Sequence, residues 1–162
     1  MTREEFKYCF DQFFDPIRNY LYYRSGDAEL ATDIAQDAFL KLWEKQVDFE
    51  PNRTKGLLYK IAGDLFISQV RKNKVAANYQ ETITLNFKQE NPEETLQYEE
   101  LKKNYEIALA QLPEKQRTVF LMSRMEELTY KEIAERLELT VKAVEKRMSL
   151  ALAALKQIIP TP

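Results

Sequence analysis

The sequence predicts an all-α protein of two small helical domains joined by a linker, and three observations predict it. Apolar residues recur mostly with helical spacing along the 162 residues. Only three glycines interrupt the chain, and no strongly alternating segment is bounded by hairpin turns. Residues 76–100 have weak periodicity and a net charge of −5, which divides the chain in two.

The first helix opens on a capping box, Thr2 with Glu5, and carries Phe6, Phe10, Phe13 and Ile17 as a core stripe. Asp15-Pro16 predicts a kink or a restart within it. Ser25-Gly26-Asp27 ends this helix and caps the next, which spans roughly residues 28–46. Ala31, Ile34, Ala35, Ala38, Phe39 and Leu42 form its wide buried face. The loop DFEPN, residues 48–52, leads to a long helix over about 53–73, packed through Leu57, Leu58, Ile61 and Leu65. In the 76–100 stretch a solvated linker is expected rather than an ordered element, although TITLNF has the composition of a short extended segment binding a groove. Helical spacing resumes with Tyr98, Leu101, Tyr105 and Leu109.

Composition narrows the chemistry. Lysine and arginine number 24 against 26 acidic residues, so DNA binding can come only from local basic islands. There is no histidine, and Cys9, the one cysteine, reads as a buried small hydrophobe between Tyr8 and Phe10. An enzyme is the least expected class, with no catalytic residue, metal or cofactor to propose. The charged start, MTREEF, and the lack of an 18-residue apolar run predict a cytoplasmic protein without membrane insertion.

The strongest local signal lies in residues 129–157. Thr129 and Glu132 make a second capping box before a short helix, Tyr130 to Leu137. Glu138-Leu139-Thr140 is a tight turn without the usual glycine, and Thr140 caps a long second helix. Val144, Met148, Ala151, Leu155 and Ile158 define its buried face, and Ala134 is small where the two helices cross. The opposite face carries Lys142, Lys146 and Ser149, with Arg147 on the flank, within a segment of net charge +3 over 140–157. This is the pattern of a DNA-binding helix-turn-helix, although an amphipathic hairpin with a solvated basic face shares it.

Two further surfaces stand out. On the far side of helix 28–46 from its buried face lie Asp33, Gln36, Asp37 and Glu44, with Leu40 in their midst and Trp43 at the border. An exposed leucine beside a tryptophan, ringed by carboxylates, suits a basic partner helix. Residues 53–74 form a second basic island of net charge +5, in which Lys60, Asp64 and Arg71 share one strip. Tyr59 and Phe66 within it have the chemistry to stack on unpaired bases, though core positions are the commoner use of such rings.

These segments resemble one family. Residues 31–43, ATDIAQDAFLKLW, resemble the polymerase-binding helix of extracytoplasmic-function (ECF) sigma factors. Residues 57–72, LLYKIAGDLFISQVRK, resemble the helix that follows it and reads the −10 promoter element. Residues 112–120, LPEKQRTVF, and 128–140, LTYKEIAERLELT, resemble the domain that reads the −35 element. The resemblance runs in order along nearly the whole chain, with only the linker unmatched. It implies a region 2-like domain over 1–75, an acidic flexible linker over 76–100 and a region 4-like domain over 101–162.

The resemblance also implies roles. Asp33, Gln36, Asp37, Leu40 and Trp43 would contact core RNA polymerase. Asp48, Phe49 and Asn52 belong to the loop that would capture a flipped −10 base. Lys60, Asp64, Arg71 and Lys72 would lie along −10 DNA. Arg117, Thr140, Lys142, Ala143, Lys146 and Arg147 would sit at the −35 element. Core polymerase, promoter DNA and an anti-sigma factor are the implied partners. The chain departs from the family pattern at Leu57, where tryptophan is usual, at Asp64 for asparagine, at Ser68 for aspartate and at Ala143 for threonine. Gly63 replaces a basic residue inside a helix, at a cost of about 1 kcal/mol against alanine. A stand-alone helix-turn-helix regulator and a degenerate sigma-like adaptor are the alternative readings.

Overall fold

The computed structural model describes residues 1–77, 83–87 and 96–158, without the side chains of 74–77 and of Ile158. Most of the acidic stretch, the side chain of Lys74 and the last position of the predicted 144–158 face lie outside the described residues. Among the described residues there are seven helices and no strand.

α1 (Arg3–Ser25), α2 (Ala28–Lys45) and α3 (Pro51–Ala77) pack on one another as a three-helix bundle. The Thr2 capping box forms as expected: the hydroxyl accepts from the Glu5 amide at 3.1 Å, and the Glu5 carboxylate accepts from the Thr2 amide at 2.8 Å. That amide, with the Thr2 hydroxyl, holds the Glu5 carboxyl below its ordinary pKa. α1 does not restart at Pro16 but runs through it as one helix. Cys9 on one side, and Ile17, Tyr20 and Leu21 on the other, are buried, so packing of both halves outweighs the missing hydrogen bond. The expected Phe stripe is only partly internal: Phe6 and Phe13 are half-buried and Phe10 is 41% exposed, stacked on Phe14. Cys9 is buried, and burial pushes its thiol pKa up, away from reactivity.

Gly26 closes α1 in the left-handed region, φ 67°, and Asp27 caps α2 through the Leu30 amide at 3.1 Å. The six predicted core residues of α2 are all buried. α3 begins earlier than its periodicity suggests, because the Glu50 carboxylate accepts from the Asn52 and Arg53 amides and so caps it at Pro51.

α4 (Leu96–Gln111), α5 (Glu114–Met125), α6 (Tyr130–Leu137) and α7 (Val141–Ile158) form the second unit. α6 has the predicted bounds and its capping box. The α6–α7 turn puts Glu138 at φ 54°, a left-handed conformation that a non-glycine residue adopts at a cost of about 1–2 kcal/mol. Val144, Met148, Ala151 and Leu155 are buried, with Ala134 beneath them. α4 departs from expectation: Leu109 is core, but Tyr98 and Leu101 are 51% and 60% exposed.

Within the expected linker, residues 83–87 are seated rather than solvated. Leu85 is 4% exposed, and the Tyr22 hydroxyl accepts from the Asn86 amide at 2.7 Å and donates to its carbonyl at 3.0 Å. Phe87 meets the Tyr22 ring edge-on and donates its amide to Glu106 of α4 at 3.2 Å. A Cβ on Gly26 would stand 2.1 Å from Ile83, so glycine serves both the turn and this close approach. The apolar residues of TITLNF outweigh the acidic composition around them, which is why the groove-binding reading describes this piece of the stretch.

Candidate nucleic-acid interface and docking face

Three exposed surfaces collect the predicted residues. On α2, Asp33, Gln36, Asp37 and Leu40 are exposed in one stripe, with Leu40 at 56%. The wide alanine-rich inner face of α2 is what forces this stripe outward. Trp43 is half-buried, its ring 5.2 Å from that of Phe6 and edge-on to it. Arg3, Phe6, Leu40 and Trp43 line a shallow cleft of about 290 Å³ there. Phe6 and Arg3 were not among the predicted docking residues, since they lie more than thirty positions from Leu40 in the sequence.

Along α3, Lys60, Asp64, Arg71 and Lys72 are exposed as expected. Asp48 is exposed in the preceding loop, Asn52 lies in the first turn of α3, and Phe49 is half-buried with its ring 5.7 Å from Tyr8. Tyr59 and Phe66 are core, at 3% and 4% exposure. Gly63 has a structural reason: it is buried, and a Cβ there would meet the Tyr20 hydroxyl at 3.3 Å and the Arg24 guanidinium at 3.5 Å. The glycine therefore lets α1 and α3 approach beneath Arg24, which stands 4.5 Å over the Phe66 ring.

Thr140, just before α7, and Lys142 and Lys146 on it are exposed, and Ala143 and Arg147 are half-buried. The Thr140 hydroxyl accepts from the Ala143 amide at 3.1 Å, which spends that side chain on capping. Ala143, Lys146, Arg147 and Leu150 face Pro113–Gln116 across an open cleft of about 470 Å³.

Arg117 is a correction. It was expected at the −35 element, but it is 1% exposed and its guanidinium is spent on main-chain carbonyls. It donates to Tyr23 at 2.7 Å, Arg24 at 2.6 Å and Leu112 at 2.9 Å. The first two cap the C-terminal end of α1, where a cation is favoured by the unpaired carbonyls. Around it, Arg24 pairs with Glu114, and Glu126 accepts from Asn19 and from the Tyr23 hydroxyl, each at 2.8 Å. Arg136 of α6 stands 5.6 Å over the Tyr59 ring. These partners lie far apart in the sequence, and no local pattern marks them.

Burial raises the pKa of Tyr20, Tyr23 and Tyr59, that of Tyr59 from 10.0 to about 12; for Tyr23 the hydrogen bond to Glu126 adds to burial. In the unfolded chain these hydroxyls ionise first, so unfolding becomes easier as pH rises. Stability, read as the urea midpoint, is expected to hold below pH 10 and fall between pH 10 and about 12. Tyr59→Phe should make the fall shallower, and a midpoint flat to pH 12 in the unsubstituted protein would contradict the burial.

Known proteins share this organisation. Residues 9–75 match the family model "Sigma-70 region 2", and residues 104–155 match "Sigma-70, region 4". RNA polymerase sigma factor YlaC of Bacillus subtilis is 28% identical over 142 residues, 83% of this chain and 80% of YlaC. ECF RNA polymerase sigma factor SigW of the same organism is 31% identical over 138 residues, 78% of this chain and 74% of SigW. In overall fold the chain is similar to the sigma factor RpoE of Bartonella quintana, solved in complex with the anti-sigma factor NepR. The TM-score is 0.71 at 20% identity, covering 96% of each chain.

Proposed function

This chain belongs to the ECF family of RNA polymerase sigma factors, and from that premise we propose how a promoter-specific transcription initiation factor divides its work over this surface. The observation that carries the proposal is the separation of three exposed faces, one acidic-apolar on α2 and two basic on α3 and α7. The α2 stripe of Asp33, Gln36, Asp37 and Leu40, with Trp43, docks on core polymerase. A central apolar side chain with charged neighbours has the anatomy of a protein-binding hot spot.

Lys60, Arg71 and Lys72 follow the backbone of −10 DNA by neutralising phosphate. Asp64 beside them repels phosphate, so this site is the weaker of the two. Asp48, Phe49 and Asn52 flank an unpaired −10 base. Lys142, Ala143, Lys146 and Arg147 present the exposed start of a recognition helix to −35 DNA.

Sigma factors are non-enzymatic transcription factors, and this one acts by binding. No described helix is long and apolar enough to cross a membrane. We place its action in the cytoplasm, where polymerase and DNA are, and count an anti-sigma factor among its partners, as RpoE has NepR. A stand-alone regulator would leave the α2 stripe without a role.

Lys146→Glu tests the division of labour. Transcription from promoters with a −35 element is expected to fall at least tenfold while the Kd for core polymerase stays within twofold. A lost base-edge contact costs about 1–3 kcal/mol, and the reversed charge adds repulsion from phosphate. Equal losses in both assays would contradict it.

A further inference from the structure

We propose that Tyr8 of α1 is a nucleobase-binding site, a ring on which an unpaired base stacks beside the one held by the loop between α2 and α3. This rests on the −10 assignment of that loop.

The loop is pinned at both ends. Gln46 closes α2 in the left-handed region, φ 49°, and its side-chain amide donates to the Trp43 carbonyl at 2.8 Å. At the other end the Glu50 carbonyl accepts from the amide of buried Thr54 at 2.8 Å, besides the carboxylate cap on α3. Val47, Asp48 and Phe49 alone span the gap, so little ordering is left to do when a base binds.

The Phe49 ring is set against Tyr8, edge-on at 84° with centroids 5.7 Å apart. Tyr8 meets Phe13 in the same way, at 85° and 6.3 Å. These contacts hold the Tyr8 ring in place, yet the residue stays 46% exposed. Lys55, one turn beyond Asn52 on α3, has its ammonium 5.9 Å from the Phe13 centroid and brings a cation to the same cluster. The carboxylates three residues either side of Tyr8 are occupied, Glu5 by the Thr2 amide and Asp11 by Lys7 at 2.9 Å.

A fixed, half-exposed aromatic ring with a cation beside it has the chemistry of a single-strand platform. Every base has a face to stack, and the cation neutralises phosphate. Capture of one base by the loop leaves its neighbour without a stacking partner on that side. Tyr8 offers one only to an opened strand, so the ring favours melted promoter over duplex. Neither Tyr8 nor Lys55 belongs to the DNA-contacting residues assigned above.

The experiment uses the full-length protein with core polymerase and a fork-junction DNA cut from a promoter that this polymerase uses. The unpaired −10 strand carries 2-aminopurine, whose fluorescence is quenched by stacking, at successive positions. Quenching is expected next to the captured base. Tyr8→Leu covers Phe13 and Phe49 with apolar surface but cannot stack. It should restore the fluorescence and weaken fork binding about tenfold, the size of one base–aromatic stack. Affinity for fully paired DNA and for core polymerase should stay within twofold, and Tyr8→Trp should keep both quenching and fork affinity. Unchanged quenching and fork affinity in Tyr8→Leu overturn the proposal, and so does an equal loss for fork and duplex. Should Tyr8→Leu lose helix content, the unsubstituted complex decides, since a fork with no quenched position overturns the proposal unaided. Asn52→Ala and Phe49→Leu report on the loop itself. If they leave fork binding intact, the −10 assignment fails; if they weaken it and Tyr8→Leu does not, only this inference fails.

Discussion

Arg117→Met is expected to lower the unfolding free energy by about 3 kcal/mol, a large share of the 5–15 kcal/mol typical of natural domains. Methionine keeps most of the volume but donates no hydrogen bond, so the carbonyls of Tyr23, Arg24 and Leu112 lose their charged donor in a place sealed from water. Each buried acceptor left unsatisfied costs about 1–3 kcal/mol, and partial opening of the interface recovers some of it. Urea denaturation reads this as a lower midpoint. The contrast is sharp, because a surface arginine kept only for DNA would change stability by no more than about 0.5 kcal/mol. A midpoint shift that small would mean that the guanidinium does not cap α1.

Leu40→Glu is expected to behave in the opposite way, leaving the fold intact and abolishing docking. Leu40 is 56% exposed on α2, so glutamate, a comparable helix former, should shift stability by less than about 0.5 kcal/mol. On the docking face it places a charge where an apolar contact is proposed, beside Asp33, Asp37 and Gln36. Loss of a central apolar anchor, together with burial of an unpaired carboxylate, should cost at least about 3 kcal/mol, or a hundredfold in Kd. Binding measured against core polymerase, alongside a thermal melt, separates the two effects. Undiminished binding would remove the α2 stripe from the docking site.

The parts of the fold legible in the sequence are those fixed by local rules. The inner face of α2, from Ala31 to Leu42, was readable because a three-residue and four-residue spacing leaves one orientation for a helix against its neighbours. The capping boxes at Thr2 and Thr129 were readable because donor and acceptor lie three residues apart. The α7 face from Val144 to Leu155 was readable for both reasons.

What escaped is long-range. Arg117 looked like a surface cation because nothing near it announces the carbonyls of Tyr23 and Arg24, more than ninety residues away. Gly63 looked like a defect until the packing of Arg24 and Tyr20 gave it a purpose. Pro16 carries a strong local signal for a break, and burial on both sides of it overrode that signal. Residues 83–87 were hidden by the acidic composition around them, although Leu85 and Phe87 supply the apolar surface that seats them. Of the proposed site residues, the exposed ones on α2, α3 and α7 lie where periodicity put them, and Arg117 alone was drawn inside.

Reconstituted transcription reads promoter selection by this chain itself. Core polymerase lacking any sigma factor is supplied with this protein and genomic DNA fragments, and the 5′ ends of the transcripts are mapped. Initiation is expected at defined sites that share sequence elements near −10 and −35, to depend on this chain, and to disappear with Leu40→Glu. Tight binding of duplex DNA by the protein alone, with no chain-dependent transcript from the reconstituted polymerase, would contradict it.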